Sequence, residues 1–226
     1  MLFLSYTLDF GPVLNATIEF MWGVLVTLGF SLGTVIFGTI LGFAVSMGKL
    51  SRNKVISAIA SFYISFLRGT PLLIQLYILA YGIPILFSVN INIYISGLIA
   101  LSLNSSAYVA EIFRSGIQAV DQGQIEGARS IGLSSKYTMR HIIFPQALKN
   151  ILPAIGNELV TVVKESSVVS LIGIGDITRV ADLVKADTLK VFEALIYAAL
   201  LYYIITTVLS QLIRIGERKL NKYAAK

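Results

Sequence analysis

Cysteine is absent from the 226 residues, which excludes disulfides, thiolate metal sites and cysteine nucleophiles. His141 is the single histidine, too few for a histidine-built metal site within one chain. With so few such groups, the chain offers no constellation for a membrane-embedded enzyme. Charge is also scarce: Asp, Glu, Lys and Arg supply 13% of the residues, against about 25% in ordinary soluble domains. No Lys or Arg precedes Lys49, so the basic start of a cleaved secretory signal is missing. No G-x-x-x-x-G-K-[ST] run occurs, and without it there is no loop to cradle nucleotide phosphates.

What fills the chain instead is apolar. Hydrophobic residues make up 56% and the mean hydropathy is +0.80. A soluble protein of this composition would have too little polar surface to cover its core, and lipid is the solvent that resolves the mismatch. The net charge of +6 does not point to nucleic acid. Its basic residues lie between apolar stretches or at the C-terminus, as on the cytoplasmic flanks of membrane helices.

A span needs about 20 mostly apolar residues. The sequence predicts five: about 21–47, 55–87, 93–112, 147–172 and 192–213. The second is interrupted by Arg68-Gly69-Thr70-Pro71 and is expected to be broken or kinked. Segments 49–54, 114–149 and 214–226 hold thirteen Lys or Arg, whereas 1–20, 87–92 and 173–190 hold three. By the positive-inside rule the N-terminus is outside and the C-terminus cytoplasmic. The expected fold is an all-α, multi-pass membrane protein in one domain over 1–226. Residues 1–20, apolar but broken by Asp9, Gly11, Pro12 and Glu19, read as a short interfacial segment. Residues 114–146 read as a long cytoplasmic loop with two short amphipathic runs parted at Gly132, Ser134 or Ser135 capping the second.

Within that loop Glu126-Gly127-Ala128 is followed after three residues by Gly132, and after nine more by Ile142 and then Phe144-Pro145. This resembles the EAA loop of bacterial ABC-importer permeases, with Gly127 where Ala is usual and Phe144 where Leu is usual. The stretches FLRGTPLLIQL (66–76), ALSLNSSAYVAEIFRSGIQ (100–118) and PQALKNILPAIGNELVTVVKESSVVSLIGIGDIT (145–178) resemble the polar-amino-acid subfamily, the histidine, glutamine and arginine permeases. The resemblance covers roughly residues 15–220. It implies a type I, MetI-like permease core of five helices in the bacterial cytoplasmic (inner) membrane. The implied partners are a cytoplasmic ABC ATPase dimer, a second permease (a like copy or a paralogue) and an extracytoplasmic amino-acid-binding protein. ATP with Mg would be bound by the ATPase, and no cofactor by this chain. Glu126, Gly127, Ala128, Gly132 and Pro145 become the expected ATPase-coupling residues: small side chains admit a partner backbone and Glu126 offers a charge-assisted hydrogen bond.

The predicted fourth span carries Asn157, Glu158, Thr161, Lys164 and Glu165, which at about 100° per residue fall within an arc of about 120°. Ionised groups at membrane depth need partners or water. Carboxylates at 158 and 165 suit an ammonium or guanidinium, and Lys164 or Arg68 suits a carboxylate, which together fit an amino-acid zwitterion. An ion pair closing the core is the alternative. Broken helices expose backbone groups that are tolerated along a cavity, so Arg68, Thr70 and Gln75 are candidate path residues. Residues 55–67 lying along the cytoplasmic interface, with Arg68 reaching to water, is the other reading. Asn104, Tyr108 and Glu111 form one helical stripe; Asn104 with Ser105 either reaches the path or hydrogen-bonds to a neighbouring helix, and Glu111 is expected to pair with Arg114.

Overall fold

The computed structural model describes residues 7–224, and all regular structure among them is helical. Helix α1 (Gly11–Asn15) has Pro12 in its first turn, where a missing amide costs nothing. Helix α2 (Thr17–Lys49) runs 33 residues, about 50 Å at 1.5 Å per residue. Helix α3 (Lys54–Gly69) is capped by Asn53, whose Oδ1 accepts from the Val55 amide at 2.9 Å. It stops where expected: Thr70, ahead of Pro71, is extended at φ −116°, ψ 145°, because a proline disfavours helical geometry in the residue before it. Helix α4 (Leu72–Tyr77) runs through a π turn (Ile78–Gly82) into α5 (Ile83–Phe87), and this arm bends 104° away from α3.

Helix α6 (Ile93–Gln118) is followed by α7 (Gln122–Ser130), α8 (Ser135–Thr138), a π turn (Met139–Ile143) and α9 (Phe144–Glu165). Residues Ser166–Ile172 tighten into a 3₁₀ helix, after which come α10 (Ile177–Thr188) and α11 (Val191–Ala224). By length and composition, α2, α6 and α11 are long and apolar enough to cross a membrane, and α3 with α4–α5 makes a fourth if the bent pair is one span. Helix α9 is long enough at 22 residues, but Lys149, Asn157, Glu158, Lys164 and Glu165 keep it out of that group on composition. The expected fourth span therefore consists of a polar helix plus a 3₁₀ segment. Helix α10 has no counterpart among the sequence expectations, because twelve residues flanked by turns give too short an apolar pattern to stand out.

The seam between α2 and α6 is the most extensive helix contact in the bundle. A Cβ at Gly42 would lie 2.7 Å from the Ser106 carbonyl oxygen, and one at Gly38 3.0 Å from Ser105 Oγ. Without hydrocarbon-specific attraction between helices in lipid, such backbone proximity supplies the dispersion contact that holds them together. At the end of α2 that carries Lys49 the seam is closed by charge. Glu111 receives Arg114 Nη2 at 2.8 Å and Lys49 Nζ at 2.5 Å, with Arg68 Nη1 4.0 Å away.

The segment expected to be interfacial lies partly outside the described residues. From Gly11 it is helical, and Val13 and Phe20 are buried with Ile177, Ala181 and Ala194 of α10 and α11. Burial of that apolar pair ties α1 and the start of α2 to the last two helices. The run Gly29-Phe30-Ser31-Leu32-Gly33 has the spacing of a hydrolase nucleophile elbow. It sits in mid-helix, with Ser31 buried and its hydroxyl donating to the Thr27 carbonyl at 2.7 Å, so it offers no nucleophile.

Candidate translocation face and coupling loop

The polar arc of α9 divides between two neighbours. Glu158 turns toward α6, where Ser105 Oγ donates to Glu158 Oε1 at 2.9 Å. Two residues far apart in sequence and both expected at the site are thus brought together. Asn157 and Lys164 turn the other way and, with Val160, line an open depression of about 580 Å³ against Tyr203, Thr206, Thr207, Ser210 and Arg214 of α11. Thr161 lies between them, its hydroxyl donating to the Asn157 carbonyl at 3.3 Å. Glu165 is half-buried at the helix end.

These α11 residues were not anticipated. Positions 203, 207, 210 and 214 recur at i, i+4, i+7 and i+11 within an apolar helix, and that stripe of hydroxyls ending in an arginine was a legible signal. A polar stripe on a membrane-length helix must face water, substrate or another polar surface. Helices α9 and α11 supply that polarity to each other along one side of the depression.

The break in the second span is settled inside the protein. Gln75 Nε2 donates to the Leu67 carbonyl and to Thr70 Oγ1, both at 2.8 Å, and Asn104 Nδ2 donates to Gln75 Oε1 at 3.1 Å. Gln75 and Asn104 are buried. Their amides satisfy carbonyls that the end of α3 leaves without intrahelical donors. Thr70, Gln75 and Asn104 therefore form one network at the kink, on a different part of the bundle from the α9–α11 depression. Arg68 lies over the Tyr108 ring, 5.2 Å from its centroid, beside the Glu111 cluster. The expected pairing of Glu111 with Arg114 is present, and Lys49 joins it.

The long loop is two short helices and a turn. Asp121 caps α7, its Oδ1 accepting from the Gly123 amide. The chain leaves α7 through Gly132 at φ +80°, with the Leu133 amide donating to the Ala128 carbonyl at 3.1 Å. This left-handed exit is one that glycine adopts at little cost. Ser134 caps α8 by accepting from the Tyr137 amide at 3.3 Å. Glu126 and Gly127 are exposed, Ala128 is buried, and a Cβ on Gly127 would meet nothing within 4 Å. Pro145 begins α9 from an exposed position.

At the opposite end Asp176 caps α10 and is fully buried. Its Oδ1 accepts from the Arg179 amide at 2.9 Å and its Oδ2 from the Tyr202 hydroxyl at 3.0 Å. Burial pushes the Asp176 carboxyl above its ordinary range, and these hydrogen bonds oppose the rise. Among the described residues there is no cluster of His, Cys, Asp or Glu able to hold a metal ion.

A helical membrane subunit with a polar face, a broken span and a helix-turn-helix projecting from one end is a transport permease in architecture. Residues 35–222 match the family of binding-protein-dependent transport system inner membrane components, and the chain belongs to it. It is 40% identical over 216 residues to a protein of Rickettsia bellii named as glutamine transport system permease GlnP, covering 96% of this chain and 98% of that protein. It is 42% identical over 214 residues to the arginine transport system permease ArtQ of Bacillus subtilis, with 95% and 98% covered. Its fold matches a crystal structure of an amino acid ABC transporter with histidines at a TM-score of 0.91 and 44% identity, covering 95% of this chain and all of that one. The chain is accordingly an amino-acid ABC-importer permease of MetI-like fold, not an enzyme, and the ATPase is a separate subunit.

Proposed function

We propose that this chain forms the translocation path for a polar L-amino acid, of the arginine, lysine, histidine or glutamine type, and that ATP hydrolysis in a partner drives the movement. The observation that carries the reading is the divided polar arc of α9. Glu158, held by Ser105 of α6, presents a carboxylate, and Lys164 with Asn157 opens onto the depression shared with α11. A carboxylate and an ammonium at the two edges of one polar arc match the two ends of an amino-acid zwitterion. In this reading Glu158, Thr161 and Glu165 face the ammonium or guanidinium, and Asn157 and Lys164 the carboxylate. Ser105 sets the position of Glu158, and the kink residues Thr70, Gln75 and Asn104, with Arg68, line a separate stretch of the path. The relatives named for glutamine and arginine support the substrate class.

The chain crosses five times, N-terminus outside, with α9 and the following 3₁₀ segment as the fourth crossing. Polar residues on α9 are tolerable at membrane depth because they face a path and not lipid. One chain encloses too little, so a second permease, a like copy or a paralogue, completes the path. An extracytoplasmic amino-acid-binding protein delivers the solute, and a cytoplasmic ATPase dimer binding ATP and Mg seats the loop through Glu126, Gly127, Ala128, Gly132 and Pro145. The exposed Gly127, with no neighbour within 4 Å, supports a surface awaiting a closely packed partner.

The test is uptake of labelled amino acids by the chain reconstituted with its ATPase and binding protein, comparing wild type with Glu126→Lys. Loss of coupled uptake in a complex that stays assembled is the expected result. Undiminished uptake, or uptake with no ATPase present, would refute the coupling.

A further inference from the structure

Helix α3 has three sectors where a simple span would have one. At about 100° per residue, Ala60, Ile64 and Leu67 form one side and are buried against the bundle. Lys54, Ser61, Ser65 and Arg68 form a second, polar side. Val55, Ile59, Phe62 and Phe66 form a third, and each of the four is more than half exposed. The rings of Phe62 and Phe66 stack at 6.0 Å, so the exposed apolar stripe is continuous.

The orientation of α3 is also unlike that of the other long helices. The arm that follows it bends away by 104° and runs along α6, with Gln75 joined to Asn104 and Leu76 buried with Ala100 and Leu101. Helix α3 therefore lies across α6. Its first turn meets the end of α2, where Ser57 Oγ donates to the Lys49 carbonyl at 2.9 Å, and its last turn brings Arg68 Nη1 to 4.0 Å from Glu111. Residues 49–69 contain Lys49, Arg52, Lys54 and Arg68 and no acidic residue. Lys49 and Arg68 stand near Glu111, while Arg52 and Lys54 are exposed.

We infer that α3 lies flat in the cytoplasmic leaflet as an amphipathic interfacial helix, its Val55–Ile59–Phe62–Phe66 stripe among acyl chains and Arg52 and Lys54 on anionic phospholipid headgroups. An interfacial helix needs an apolar face, a polar face and basic residues at the headgroup level, and α3 has all three, with a fourth surface against its own protein. Only α4–α5 then makes the second crossing, and the kink network of Gln75 and Asn104 is the hinge between the flat and the crossing parts. The bilayer holds α3 at a set depth, so anionic lipid fixes the position of the cytoplasmic end of the bundle.

The absence of native cysteine makes the test direct. The full chain, assembled with its partner subunits, would carry one substitution at a time, Val55→Cys, Ile59→Cys, Phe62→Cys or Phe66→Cys. Each would be spin-labelled in vesicles of phosphatidylcholine with graded phosphatidylglycerol. Collision with oxygen and with a water-soluble nickel chelate reports depth. The expected result is four labels at one depth, high in oxygen collision and low in nickel collision. A steady change of depth along the stripe, toward about 16 Å over the eleven steps from Val55 to Phe66, would show a crossing helix and overturn the inference. Low collision with both reagents would show a second copy or another protein on the stripe, and would overturn it equally. The headgroup contact is read separately: the labels should become less mobile as phosphatidylglycerol rises, and Arg52→Gln with Lys54→Gln should remove that response. A response absent in the wild type would sink the headgroup assignment. Should the labels disturb folding, Phe62→Trp in a Trp22→Phe background, read by quenching from lipids brominated high on the chain, asks the same question.

Discussion

The α2–α6 seam and the outer face of α9 use polar residues in opposite ways. At the seam, hydroxyls serve as small residues. Thr34, Ser46, Ser96 and Ser102 are buried with no hydrogen-bond partner for their side-chain oxygens, and glycines at 38 and 42 let backbones approach to contact. On α9, polar groups are large, mostly ionisable and directed at neighbours or open space: Glu158 at Ser105, Lys164 and the amide of Asn157 at the depression shared with α11. In lipid the first pattern builds a rigid pair, because close packing is the main attraction available between helices. The second cannot lower the energy of an isolated helix, so it persists only where another surface or a solute meets it. With the proposed path on α9, substitutions there should act on uptake and substitutions at the seam on stability, and Ser105, which touches both Gly38 and Glu158, joins the two.

The sharpest separation is expected from Glu158→Lys. It should lower uptake by about a hundredfold, equivalent to roughly 3 kcal/mol of lost interaction, while assembly measured by size-exclusion chromatography in detergent is unchanged. A variant that transports normally would remove Glu158 from the path. Next in size is Gly42→Val, which sets side-chain atoms against the Ser106 carbonyl and Val109. It should destabilise by about 1–3 kcal/mol, seen as a lower thermal midpoint, whereas Gly29→Val, with nothing within 4 Å of its Cβ, should not. Equal effects at both glycines would erase the distinction drawn for the seam.

A smaller effect concerns the end of the bundle away from the loop. The Asp176 carboxyl is raised by burial above its ordinary 3.8, so the folded state holds its proton to higher pH than the unfolded chain does. Ionisation therefore costs stability as pH rises through the interval between the two values, and below it no cost is present. Asp176→Asn should flatten that part of the pH dependence of the thermal midpoint while keeping the cap, and an unchanged profile would show that the carboxyl titrates as in water. Smallest of all is Ser102→Ala. Because that hydroxyl has no partner to lose, the change should stay within about 0.5 kcal/mol. A large loss would mean that the seam contains a hydrogen bond and not only packing.

Much of this architecture was legible in local sequence. The kink after Gly69 follows from Thr70-Pro71, the turn at Gly132 from a glycine between two amphipathic runs, and the cap at Ser134 from residue type. The family resemblance of the loop rests on the spacing of Glu126, Gly132 and Pro145. Helix α10 and the α11 stripe were missed for different reasons. Helix α10 is short and owes its place to Asp176, Thr178 and Tyr202 meeting across the chain. The stripe of Thr207, Ser210 and Arg214 was present as a pattern but had no visible counterpart until α9 stood beside it.

By itself the sequence determined the solvent, because 56% apolar residues and 13% charged ones leave lipid as the only medium in which the chain can fold. It also determined the order of the helices and the loop that marks the family, since each depends on runs of adjacent residues. The tertiary structure alone decided which polar groups share a site. Ser105 and Glu158 are 53 positions apart and bond at 2.9 Å; Gln75 and Asn104, 29 apart, close the kink together. Helical periodicity assigns a residue to a face, but only packing decides what stands opposite it, and a polar group in a membrane takes its meaning from that neighbour.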